Sequence, residues 1–256
     1  MNIEIKKKLA RNWFILLRNI ILYEIESLEK EYSLKKKTKP KKFIVKNWEK
    51  SKNLDNGGGE YSILKNGSLF EKAGVNFSEV YGKFDKKFKN KIPGASKNPD
   101  FWASGISVVV HMKNPKIPAL HFNTRFIQTK LNWFGGGMDM TPSINDLQEF
   151  KWFHKQLKKT CDNNNKKYYP KYKKWCDRYF YLNHRKEMRG VGGIFFDYKM
   201  NDWKKNFFFI RDVGNTFTYI LKKIIKRKMY TKWTKKEKDI QLIKRGRYIE
   251  FNLLYD

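Results

Sequence analysis

Two nearby segments, Gly105–His111 (GISVVVH) and Leu120–Phe126 (LHFNTRF), alternate in character with a period of two. A β-strand turns successive side chains to opposite faces. Ser107, Val109 and His111 therefore share one face of the first segment, and His121, Asn123 and Arg125 share one face of the second. Phe122 and Phe126 fall on the opposite, apolar face. A chain with this pattern must build a sheet. The proline-bearing Met112–Pro118 connects the two strands. If they pair, Ser107, His111, His121, Asn123 and Arg125 form one polar cluster. Polar alternation also marks the wet side of an ordinary antiparallel sheet, but this mixture of types favours a site.

The rest of the chain supplies partners for such a sheet. From Ile3 to Tyr32, Ile5, Leu9, Trp13, Leu17, Ile20 and Ile21 recur at helical spacing and predict one long amphipathic helix. Lys35–Lys42 (KKKTKPKK) is a solvated basic linker, and Val45–Trp48 opens the compact part. Ser62–Leu64 and Ser68–Phe70 flank Asn66-Gly67, a hairpin signal. Ala73–Tyr81 predicts another strand, and Lys83–Pro99 is polar and irregular. The triple glycine of Trp133–Pro142 (WFGGGMDMTP) suggests a tight turn or a backbone that approaches a ligand closely. Leu147–Thr160 and Tyr169–Lys186 predict helices, with His154 on the first and His184 near the end of the second. Gly190–Phe196 predicts a short buried strand closed by Asp197; Trp203–Lys228 and Thr234–Lys244 predict helices, and Arg247–Leu254 a final strand. Hairpins alternating with long helices make an α+β chain.

Lysine and arginine number 56 against 25 acidic residues, for a net charge of +31. That field attracts phosphates and carboxylates, so a basic nucleic-acid-binding module is the alternative to an enzyme. No RNP box or zinc-finger spacing supports it, and no specific nucleic acid is expected. Aromatic residues make up 16% of the chain, which requires an interior. The abundance of Lys, Asn, Ile, Phe and Tyr, all with AT-rich codons, also accounts for the charge through genome bias alone. Cys161 and Cys176 form no CxxC pair and predict reduced, packed thiols in the cytoplasm. No membrane span or secretory leader is expected.

The only histidines are His111, His121, His154 and His184. Their spacings of ten, thirty-three and thirty match no metal-ligand signature. An all-histidine site for Zn, Cu or Ni stays open beside packed or surface histidines. No GxSxG elbow, phosphate loop or dinucleotide fingerprint is present.

Longer blocks say more. GGGEYSILKNGSLFEKAGVNFSEVYG, GISVVVHMKNPKIPALHFNTRF and WFGGGMDMTP are followed by a block from FHKQLKK to GVGGIFFD and by RGRYIEFNLLYD. In this order they resemble the oxygen-dependent coproporphyrinogen III oxidases, from about Trp48 onward. The resemblance implies one domain over residues 1–256, residues 1–42 being helix and linker, and a large, mainly antiparallel sheet with helices on both faces. It implies oxidative decarboxylation of two propionates of coproporphyrinogen III to vinyl groups, giving protoporphyrinogen IX in haem biosynthesis, with O2 as co-substrate. Ser107, Asn123, Thr124 and Arg125 match substrate-contacting positions. Asp139 matches an acidic residue that holds pyrrole N–H groups, Arg189 an active-site arginine, and His121 a proton donor. The resemblance also offers His111, His121, His154 and His184 as ligands of a divalent metal cation, beside a mechanism that uses only substrate and O2. A homodimer is implied. Glu60 stands where the family usually has arginine, and the connection between Phe126 and Asn132 is short. The family continues past RGRYIEFNLLYD with a Gly-Gly-Arg substrate contact and part of the dimer interface. Nothing in this sequence corresponds to that segment, so an inactive, shortened oxidase is a further expectation to test.

Overall fold

The computed structural model describes residues 1–50, 56–85, 87 and 89–255; the expected irregular stretch 83–99 lies partly outside them. Helix α1 (Ile3–Lys35) starts where the Asn2 side chain accepts from the Glu4 amide. Its stripe of Trp13, Phe14, Leu17, Ile21, Ile25 and Leu28 is buried. Then come β1 (Ile44–Glu49), β2 (Asn56–Lys65), β3 (Phe70–Lys83), β4 (Asp100–Met112), β5 (Ala119–Gln128) and β6 (Asn132–Thr141). Helices α2 (Leu147–Asn164) and α3 (Tyr168–Tyr179) lead to the small hairpin β7 (Tyr181–Leu182) and β8 (Glu187–Met188). Strand β9 (Gly193–Lys199), α4 (Trp203–Lys228) and α5 (Lys235–Leu254) complete the order.

Seven strands form one antiparallel sheet in the order β1-β2-β3-β4-β5-β6-β9. Ile106, Val108 and Val110 of β4 and Leu120, Phe122 and Phe126 of β5 are buried on one face. There α1 packs on β3 and β4, while α4 packs on β5, β6 and α1. Phe122 stacks on Phe217 of α4 with ring centroids 4.7 Å apart. Each such side chain removed from water stabilises the fold by roughly 1.5–3 kcal/mol. The opposite face carries Ser107, His111, His121, Asn123 and Arg125, as the period-two pattern predicts, and α5 crosses it. Helix α3 closes the β9 edge through Trp175 on Phe195 and Tyr172 on Phe196. The architecture is α+β with helices on both faces of the sheet.

Three local expectations are corrected. The glycine run at 135–137 makes no tight turn but lies within strand β6: β5 pairs with all three glycines, and β9 with Gly136 and Gly137. The helix expected to reach Lys186 ends at Tyr179, and His184 sits in the turn between β7 and β8. The segment 247–254 is helix, not strand. A Thr234–Glu237 capping box starts α5. Tyr248 and Phe251, three apart, are both buried against Arg189, a pairing that helical geometry allows and strand alternation forbids.

Candidate active site

The register across the sheet brings the chemistry together. His121 of β5 lies opposite Asp139 of β6, and Asn123 lies opposite both Ser107 of β4 and Gly137 of β6. Arg125 lies between Gly105 and Gly135. Above them is a cavity of about 540 Å3, lined by Ser107, His121, Asn123, Arg125, Asp139 and Arg189. Its walls are Tyr179 and Phe180 from the end of α3, Ile194 and Phe195 of β9, and Tyr248 and Asn252 of α5.

Asp139 is the electrostatic centre, and only 3% of it is exposed. Its Oδ1 lies 2.8 Å from His121 Nδ1, and its Oδ2 accepts from Arg189 Nη2 at 2.5 Å. Burial works against a charged carboxyl here, but the Arg189 guanidinium and the His121 hydrogen bond outweigh it. Together they hold Asp139 below the usual carboxylate range. The carboxylate in turn favours the His121 tautomer with the proton on Nδ1, leaving Nε2 for exchange. The Arg189 guanidinium is stacked among Phe180, Tyr248 and Phe251, at 3.8, 4.5 and 4.9 Å from their ring centroids. Asn123 Oδ1 is buried with no hydrogen-bond partner among the described residues, so an acceptor is available at the cavity floor.

Arg125 donates to Asp197 Oδ2 at 2.5 Å. Glycine at 135 is what permits this pair: a Cβ there would stand 2.4 Å from Asp197 Oδ1 and 3.1 Å from Arg125 Nε. One extra residue bulges β9 between its pairings with Phe134 and Gly136. Asp197 and Tyr198, the latter at φ 55°, together stand opposite Gly135 in this bulge.

The structure gathers most of the expected site residues but not all. The Thr124 side chain turns to the opposite face and is buried there, as strand alternation requires, so only its backbone belongs to the site face. His111 shares the site face but lies under the Tyr248 ring, edge-on at 5.4 Å. Burial, with Arg245 and Lys72 nearby, pushes it down to about 4. His154 hydrogen-bonds the Val191 carbonyl and the Tyr169 hydroxyl through its two ring nitrogens, at 2.9 and 3.1 Å. His184 contacts the Tyr255 hydroxyl at 2.8 Å and Glu250 at 2.7 Å. Among the described residues no three His, Cys, Asp or Glu side chains gather as a metal site. The four histidines do not fit one shared divalent cation, since both ring nitrogens of His154 and of His184 already have other partners. Sequence reasoning missed Asp197 as the partner of Arg125, the wall of Tyr179, Phe180 and Phe195, and Tyr248 and Asn252. The helical spacing of Tyr248, Phe251 and Asn252 was the available signal for the last.

Residues 13–256 match the profile of the coproporphyrinogen III oxidase family. The chain is 49% identical over 257 residues to the oxygen-dependent coproporphyrinogen-III oxidase of Rickettsia rickettsii (strain Sheila Smith), covering all of this chain and 90% of that protein. The same identity and coverage hold for the protein of that name from Rickettsia africae (strain ESF-5). The Rickettsia bellii (strain OSU 85-389) protein is 48% identical over 251 residues, 98% of this chain and 88% of its own length.

Proposed function

The chain belongs to the coproporphyrinogen III oxidase family, and from that membership we propose that the cavity over β4, β5 and β6 is where the oxidation takes place. The reaction is oxidative decarboxylation of two propionates of coproporphyrinogen III, with O2 as co-substrate. Each propionate that becomes vinyl releases CO2, a proton and two electrons. Two such steps release four electrons, which reduce one O2 to two waters with the help of protons from solvent. The electron-rich pyrrole supplies these electrons, and the protein supplies position and proton transfer. No step is routed through a metal.

The observation that carries the assignment is Asp139, charged and buried on the cavity floor between His121 and Arg189. A carboxylate has about four acceptor sites, so pyrrole N–H groups can join the two donors already present. Its negative charge also favours a pyrrole ring that becomes cationic. His121 Nε2 is the nitrogen that exchanges a proton with the occupant. Arg125 offers a guanidinium edge to a propionate, while Ser107 and Asn123 complete the polar floor. Phe180, Phe195 and Tyr248 make the apolar walls that a tetrapyrrole needs.

The proposal includes a homodimer, as the resemblance implies, and a cytoplasmic setting, as the cysteine usage suggests. The buried free thiols of Cys161 and Cys176 suit a reducing compartment. No helix among the described residues is long and apolar enough to cross a membrane.

The test is aerobic turnover of coproporphyrinogen III by the wild-type chain and by Asp139→Asn. Wild type should yield protoporphyrinogen IX, and the variant should lose about 100-fold or more in kcat with an unchanged circular dichroism spectrum. Equal turnover by the two proteins would remove Asp139 from the site.

A further inference from the structure

A second cavity of about 540 Å3 adjoins the first on the same sheet face. The two share Ser107 and Val109 as floor, with Tyr248 and Asn252 of α5 between them. The register explains the continuity. One cross-strand row runs Gly74, Val109, His121, Asp139 over β3 to β6, and the next runs Asn76, Ser107, Asn123, Gly137. At about 4.8 Å per strand, Asp139 and Gly74 lie roughly 14 Å apart along one flat floor. That span is comparable with the width of a tetrapyrrole and its acid arms.

Gly74 leaves this chamber open. A Cβ built there meets nothing within 4 Å, so the missing side chain serves no packing need in the protein itself. Beside it on β3, Lys72 lines the chamber and is exposed. Its neighbour Glu71 is already held by Lys238 at 2.9 Å and by Arg245. Lys72 has no ion-pair partner of its own among the described residues. Ile63, Val109 and Ile249 supply apolar surface around this cation.

We propose that this chamber seats the half of the macrocycle that is not reacting, with Lys72 receiving one of its carboxylates. The inference rests on the porphyrinogen reading of the first cavity. With the reacting ring over Asp139, a porphyrinogen bearing an acid on every ring presents carboxylates on its far side, where Lys72 stands. Those carboxylates persist through the reaction, so Lys72 grips substrate and product alike and sets specificity for acid-bearing porphyrinogens.

Three variants test it, with kinetics on the full chain. Gly74→Leu fills the chamber and should raise KM for coproporphyrinogen about tenfold with an unchanged melting temperature. Lys72→Gln should raise KM several-fold and weaken inhibition by protoporphyrinogen IX to the same degree, and Lys72→Arg should restore both. Etioporphyrinogen, with alkyl groups in place of acids, should inhibit wild type and Lys72→Gln equally, which a general structural defect would not allow. A KM within twofold of wild type in a folded Gly74→Leu would overturn the proposal. So would a Lys72→Gln penalty shared by acid and alkyl porphyrinogens, and this arm decides the matter if Gly74→Leu does not fold. Absence of wild-type turnover is a separate result, which rejects the functional reading itself.

Discussion

Arg125 and Asp197 sit 2.5 Å apart at the edge of the cavity, over Gly135, where a Cβ would strike Asp197 and crowd Arg125. The carboxylate takes one guanidinium nitrogen and leaves the others for the propionate that we propose Arg125 receives. In that proposal Asp197 is a positioning residue acting through Arg125. Asp197→Asn should raise KM for coproporphyrinogen about fivefold, and the increase should vanish in an Arg125→Met background. A steady-state double-mutant cycle measures this, and a coupling below about 0.5 kcal/mol would show that the pair is only structural. The histidines separate in the same way. His121 reaches Asp139 at the cavity floor, whereas His154 and His184 hold a loop and a hairpin elsewhere. His121→Gln should lower kcat about 100-fold, while His154→Gln and His184→Gln should stay within about threefold. Equal losses in all three would instead point to a shared role as ligands.

At the scale of elements, β4 and α5 meet at His111, whose half-buried ring packs edge-on against Tyr248. Its pKa is pushed from 6.5 to about 4, chiefly by burial, so the folded state holds it neutral. Between these values the unfolded chain binds a proton that the native state refuses. Stability therefore rises with pH across this window and is lost as pH falls through it, by up to about 3 kcal/mol. Urea unfolding at pH 7 and pH 4.5 should show His111→Gln losing about 2 kcal/mol less than wild type. An equal loss would mean that His111 is not buried neutral.

The same two elements show what the sequence disclosed. Strands β4 and β5 were legible because their period-two pattern carries both the buried face and the site face, and His121, Asn123 and Arg125 followed from it. The ten-residue register between β5 and β6 was not legible. The glycine run of β6 has no side chains to alternate, so the family resemblance pointed to His121 and Asp139 separately and only the structure pairs them. Helix α5 was misread over 247–254 because Arg-Tyr-Ile-Glu-Phe-Asn mimics strand alternation. Its burial is decided by a tertiary contact, the Arg189 guanidinium, which local pattern does not contain. Asp197 was hidden for a related reason: its partner comes from another strand across a bulge.

Across the whole molecule, the sheet separates two jobs. One face is sealed by α1 and α4 in an aromatic and aliphatic core, and the other carries two adjoining cavities beneath α5. The net charge of +31 gives the molecule as a whole a field that attracts a substrate bearing four carboxylates. The proposed activity is oxidation of coproporphyrinogen III in this cleft at the expense of O2. Its most direct test is to follow O2 consumption and CO2 release together in sealed vessels containing the purified chain and coproporphyrinogen III. Two CO2 and one protoporphyrinogen IX are expected for each O2 consumed, with no conversion under argon. Release of CO2 without O2 consumption, or no release above a protein-free control, would contradict it.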